Sequence, residues 1–124
     1  GWEISNTLEA DSCLRVISQA IRVYGKPQII NSDQGSQFTS KEWVEYIEKQ
    51  GIQISMDGRG RAIDNIFIER FWRTLKYDYI YLHPAEDGLE LYQGIKDFID
   101  YYNHRLRHQG LGRRTPAEVY KSVA

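Results

Sequence analysis

With 124 residues, 41% of them hydrophobic and 27% charged, the chain has the make-up of one ordinary globular domain, which excludes disordered, collagen-like and repeat architectures. No apolar run approaches bilayer-spanning length, no basic-then-apolar leader opens the chain, and the single Cys13 has no cysteine partner for a disulfide or a zinc site, so a cytoplasmic protein with no membrane contact is expected. The net charge of −1 hides an alternation: residues 59–76 carry five Lys or Arg against two Asp or Glu, and residues 101–124 carry five against one, so two basic segments are available to phosphates.

Residues 1–6 alternate Trp2 and Ile4 with polar neighbours, as the end of a strand does. Cys13, Leu14, Ile17, Ala20, Ile21 and Tyr24 repeat at helical spacing, predicting a helix from about residue 11 to 24 that Gly25 and Pro27 close. Gln28 to Ile30 read as a short buried strand running into Asn31-Ser32-Asp33. Thr39-Ser40-Lys41-Glu42 has the form of a capping box, and the helix it opens runs to Gln50, with Trp43, Tyr46 and Ile47 on its apolar side and Gly51 placed for a left-handed cap. Ile52 to Ser55 alternate as a second strand, so the order strand, helix, strand predicts an α/β layer fold with parallel neighbours.

Two glycines and two arginines make residues 56–63 a predicted loop, after which Asp64 suits the N-cap of a helix. On that helix Phe67, Ile68, Phe71, Trp72, Leu75 and Tyr79 form an apolar face, while Asn65, Glu69, Arg73 and Lys76 form a separate polar stripe. Pro84 interrupts helical continuity, and Leu91, Tyr92, Ile95, Phe98, Ile99 and Tyr102 then mark a long amphipathic helix over 89 to about 104, capped by Asp87. The basic tail ends in a predicted helical turn from Pro116 to Tyr120.

Two carboxylates stand out, Asp33 at the end of a strand and Glu69 on a helix, with thirty-five residues between them. Taken alone, Asp33 is an ordinary turn residue and Glu69 a solvated helix residue facing Arg73 at i+4. Asn65 either orients Glu69 or a phosphate, or serves the first turn of its helix. Arg59, Arg61, Arg73 and Lys76 read either as DNA-phosphate contacts or as common charged surface. His104 and His108 lack a further ligand at metal-site spacing, which favours a DNA or structural contact.

Ser32-Asp33-Gln34-Gly35-Ser36-Gln37-Phe38, Gly58-Arg59-Gly60 through Asp64-Asn65, Ile68-Glu69-Arg70-Phe71-Trp72 with Leu75-Lys76, and Tyr102-Asn103 with His108, Leu111 and Thr115-Pro116-Ala117-Glu118 follow one another in a specific order. In this set the chain resembles the catalytic core of IS3-type insertion-sequence transposases and, more broadly, the retroviral integrase superfamily. The resemblance implies an RNase H-like fold for residues 1–124, N-terminally truncated, with a C-terminal amphipathic helix. It implies an Asp, Asp, Glu triad in which Asp33 and Glu69 are the second and third members, binding Mg²⁺ or Mn²⁺ as a pair of ions for DNA cleavage and strand transfer. The family's first Asp lies on the first strand of the sheet, upstream of residue 1, and residues 1–6 would be the tail of the third strand; the polypeptide alone is therefore expected to be nearly inert.

The implied partners are DNA, as transposon ends and target, and further copies of the chain, with action at the bacterial nucleoid. Relatives carry Arg where this chain has Leu106, so either Arg105 or Arg107 replaces it in the DNA-binding set or that contact is absent. Two other readings remain: a non-catalytic DNA-binding or assembly module, such as a decayed transposase remnant, and another RNase H-like nuclease.

Overall fold

A computed structural model describes residues 1–58 and 66–123, which fall into two compact units, residues 1–67 and 68–124. In the first, α1 (Ala10–Tyr24) precedes β1 (Ile29–Ser32), a single-turn α2 (Ser36–Thr39), α3 (Lys41–Lys49) and β2 (Gln53–Met56). The two strands pair in parallel with Ile29 opposite Gln53 and Ser32 opposite Met56, so the predicted parallel α/β unit is present. Trp43, Ile47 and Ile52 are its buried centre, and Leu14, Ile17, Ile21, Ile30, Phe38 and Ile54 pack on them. The predicted faces of the first two helices therefore pack into one core, except that Tyr24, at the end of its stripe, is exposed.

The exit from α3 is built as the sequence indicated. Gly51 takes a φ of +74°, and its N–H donates to the Glu48 carbonyl at 2.9 Å while the Ile52 N–H donates to the Ile47 carbonyl at 3.3 Å. These two bonds satisfy helix-end carbonyls, and they seat Ile52 directly on Ile47 before the chain enters β2. A side chain at Gly51 would make the positive φ costly.

Two expectations need correction here. Residues 1–5 form no strand: Gly1 lies against Val16 and Ala20 of α1, and the Glu3 carboxylate accepts from Arg15 Nε at 3.1 Å, so side-chain contacts with a helix replace ladder bonds with a neighbouring strand. The capping of α3 is displaced by one residue. Ser40, not Thr39, accepts from the Trp43 N–H at 3.3 Å, because Thr39 is spent closing α2, where its hydroxyl reaches the Gly35 and Ser36 carbonyls.

In the second unit, α4 (Ile66–Leu75) opens just before the division and runs into one π turn over Lys76–Ile80, followed by α5 (Gly88–His104), a 3₁₀ turn over Gln109–Leu111 and α6 (Pro116–Val123). The Tyr81 N–H donates to the Lys76 carbonyl at 2.9 Å, the i to i+5 bond that defines such a turn. Asp87 caps α5 as predicted, accepting from the Glu90 N–H at 2.8 Å. Leu75, Ile95 and Phe98 are buried, with Tyr79 against Phe98 and Phe71 edge-on to Tyr102. Tyr79 also lies so close over Gly94 that a methyl group there would collide with its ring and hydroxyl.

The predicted apolar face of α4 is therefore only partly a core face. Leu75 is buried and Phe71 and Tyr79 half-buried, but Phe67, Ile68 and Trp72 are exposed, Phe67 at 88%. Within the second unit α5 packs against the π turn, so burial concentrates at that end of the stripe.

Thr115 and Glu118 cap α6 reciprocally: the Thr115 N–H donates to Glu118 Oε2 at 2.8 Å and the Glu118 N–H to Thr115 Oγ1 at 3.3 Å. The Thr115 N–H bond lowers the Glu118 pKa against a smaller opposing effect of desolvation, with the Thr115 hydroxyl, Arg107 and Arg114 adding to the fall. A depressed carboxyl contributes stability above its unfolded-state pKa and loses it as pH falls through the folded value. Glu118→Gln is expected to lower the melting temperature at neutral pH, by a difference that shrinks as the pH falls through the acidic range, as read by circular dichroism on both proteins.

Candidate active site

Asp33 follows the last residue of β1, at the carboxyl end of a parallel strand, where open α/β sheets gather ligands. Its Oδ1 accepts from the Gly35 N–H at 2.8 Å, which folds the chain back in an Asx turn and fixes the direction of the carboxylate. Asp33 is exposed and makes no ion pair among the described residues. Gly35 fits this turn because a methyl group on it would come within 2.9 Å of Asp33 Oδ1 and 3.0 Å of Gln37 Oε1.

Three residues to which the sequence assigned no role of their own brace the same turn. Asn31 Nδ2 donates to Asp57 Oδ1 at 2.8 Å, and Gln34 Nε2 donates to the Asp57 carbonyl at 2.9 Å. Asp57 itself is buried, and its N–H donates to the Ser32 carbonyl at 2.9 Å. The only signal in the sequence was that polar residues end both strands.

Glu69 lies in the first turn of α4 and is exposed. The expected pairing with Arg73 is not made. The Arg73 guanidinium sits 5.3 Å from the centre of the Tyr77 ring, a cation–π contact, and leaves the Glu69 carboxylate without an ion pair among the described residues. Lys76 is exposed at the start of the π turn. Arg59, Arg61 and Asn65, with the Asp64 cap, lie outside the described residues. Arg105 ends α5 with its guanidinium 5.9 Å from the Tyr101 ring, and Arg107 is exposed.

The two histidines do not form a pair of ligands. His104 Nε2 lies 3.8 Å from Asp100, whereas His108 sits edge-on to Tyr102 and bridges to Arg114 through its backbone. Among the described residues no three His, Cys, Asp or Glu side chains cluster as a metal site. In donor chemistry Asp33 and Glu69 nevertheless fit Mg²⁺ or Mn²⁺, since both offer exposed carboxylate oxygens that make no ion pair among the described residues.

Residues 50–116 match the profile of a family described as Integrase core domain, and residues 1–62 match a second profile of the same description. The chain belongs to the integrase core family. This integrase core is 34% identical to the transposase for insertion sequence element IS904 of Lactococcus lactis over 98% of its own length, and spans 49% of that relative. It spans half the length or less of the curated relatives it matches. Its fold is that of the BIV integrase catalytic core, with a TM-score of 0.74 at 21% identity over 98% of this chain and 76% of that one. The HTLV-2 integrase catalytic core domain, solved as a dimeric form in complex with magnesium, aligns with a TM-score of 0.64 at 23% identity over 86% of this chain and 66% of that one. The RNase H-like fold that the motifs implied is thus the fold of this integrase core.

Gly35→Ala tests how the Asp33 turn is packed. The Gly35 φ of −58° suits alanine, so the substitution should cost no more than about 0.5 kcal/mol, yet the new methyl group should displace the Asp33 carboxylate. Faster hydrogen exchange of the residue 35 amide, with an unchanged melting temperature, is the expected signature.

Proposed function

We propose that this chain is part of the catalytic core of a transposase whose Asp33 and Glu69 hold divalent metal for cutting and joining DNA. The reading is carried by the Asx turn that aims Asp33 outward from the carboxyl end of a parallel strand, in a chain that belongs to the integrase core family. When bound, Mg²⁺ or Mn²⁺ would supply Lewis acidity at a scissile phosphodiester.

The chain's own residues supply the rest. Asp33 keeps Oδ1 on the Gly35 N–H, leaving Oδ2 for the metal, and Glu69 offers a second carboxylate from a helix. Arg73, Lys76, Arg105 and Arg107 neutralise backbone phosphates and set the position of the strand, together with Arg59, Arg61 and Asn65. Contacts of this kind carry little sequence information, so recognition of transposon ends falls to other groups. Work on DNA places the protein at the nucleoid in this reading; separately, no helix among the described residues is long and apolar enough to cross a membrane.

Titration of the isotope-labelled chain with Mn²⁺ checks the ligand assignment. Paramagnetic broadening is expected at the amides of Gln34 and Gly35 and around Glu69, and Asp33→Asn should abolish the first set. Broadening spread evenly over the acidic surface, or unaltered in Asp33→Asn, would remove the metal role from Asp33.

Self-association follows from the same reading. Among the described residues each strand has only one neighbour, and Ile29, Phe67 and Trp72 are exposed large hydrophobic residues, a combination that favours pairing with another chain. Light scattering should give a mass that rises with protein concentration; a monomer throughout the range would contradict this.

A further inference from the structure

We propose that Asp57 is a positioning residue for Asp33, holding the turn that presents its carboxylate without itself touching the metal. The proposal rests on the metal-ligand reading of Asp33 given above. Three bonds carry it, and together they grip the chain on both sides of Asp33. Ahead of it, the Asn31 side chain donates to Asp57 Oδ1 at 2.8 Å and the Ser32 carbonyl accepts the Asp57 N–H at 2.9 Å. Behind it, Gln34 Nε2 donates to the Asp57 carbonyl at 2.9 Å.

The register explains why Asp57 is the residue so used. Ser32 pairs with Met56, so one step further along both parallel strands sets position 57 beside position 33. Asp57 is 8% exposed, a low value for an aspartate, whereas Asn31 and Gln34 are exposed residues whose amides turn back onto it. Its burial is compensated by the bond from Asn31, a neutral amide donor that brings no charge of its own to compete for the Asp33 carboxylate. The contacts of Asp57 are thus arranged around the turn and not around solvent.

A merely structural role would alter stability alone, so the test reads metal affinity, turn geometry and melting temperature in the same labelled chain. Asp57→Ala should require about tenfold more Mn²⁺ for half-broadening of the Gln34 and Gly35 amides, the usual scale for loss of a supporting group, and should speed hydrogen exchange of the Gly35 amide. Asp57→Asn keeps an acceptor for Asn31 and should recover most of the affinity. Gln34→Ala cuts the other tie at an exposed position and should weaken binding several-fold, serving as the deciding variant if Asp57→Ala fails to fold. Unchanged Mn²⁺ affinity in either alanine variant, with broadening present in the parent, overturns the positioning role. If the parent itself shows no broadening at Gln34 and Gly35, the metal reading of Asp33 fails. Gly35 amide exchange then decides the positioning claim alone: acceleration by the alanine substitution upholds it, and no change overturns it.

Discussion

The parallel pairing of β1 with β2 is the constraint on which the first unit depends. Four residue pairs fix the register, and the crossover through α2 and α3 supplies the connection that parallel neighbours need. Because side chains alternate across a strand, a slip of one residue would exchange the faces of Ile30 and Ile54 with those of their exposed neighbours. The core prevents that slip: Ile52, seated on Ile47 by the turn at Gly51, fixes where β2 begins.

Magnitudes divide the work between packing and hydrogen bonding. Burying a side chain such as Ile47 or Ile52 contributes roughly 1.5–3 kcal/mol, while a single intramolecular hydrogen bond contributes about 0.5–1.5 kcal/mol. Packing of Trp43, Ile47 and Ile52 therefore decides where the strands lie. The bonds from Asn31 and Gln34 to Asp57 and from the Gly35 N–H to Asp33 are too weak to set the fold, but they suffice to choose how one exposed carboxylate points. Glu69 shows the opposite arrangement, since it is exposed on a helix and makes no ion pair among the described residues.

Local rules read well from the sequence wherever one residue type answers to one backbone need. Gly51 at a left-handed cap, Asp87 at the start of α5 and the helical stripes of α1 and α3 all follow from such needs. Thr39 misled because two short helices meet there, and the hydroxyl that looked free to cap the second closes the first. Residues 1–5 misled because alternation of Trp2 and Ile4 does not distinguish a strand from a segment lying along a helix. Phe67, Ile68 and Trp72 had the spacing of a buried face, but periodicity identifies a stripe without saying how far a neighbour covers it. For the site, the Asp33 turn was legible in its own residues, whereas the part played by Asp57 required the strand register, a long-range fact that spacing along the chain does not encode.

The π turn over Lys76–Ile80 alters how the helical surface must be counted. An i to i+5 bond accommodates one more residue than an α turn, so the later side chains within the turn depart from the places that uniform α-helical counting assigns. Lys76 stands at the boundary, and Glu69 and Arg73 before it keep the ordinary phase while Asp78 and Tyr79 do not. A relative without that extra residue would present a different side chain to Gly94 even if its sequence aligned without a gap up to Leu75. Uniform helical counting of this surface is therefore sound through α4 and stops at the π turn, where the helix ends.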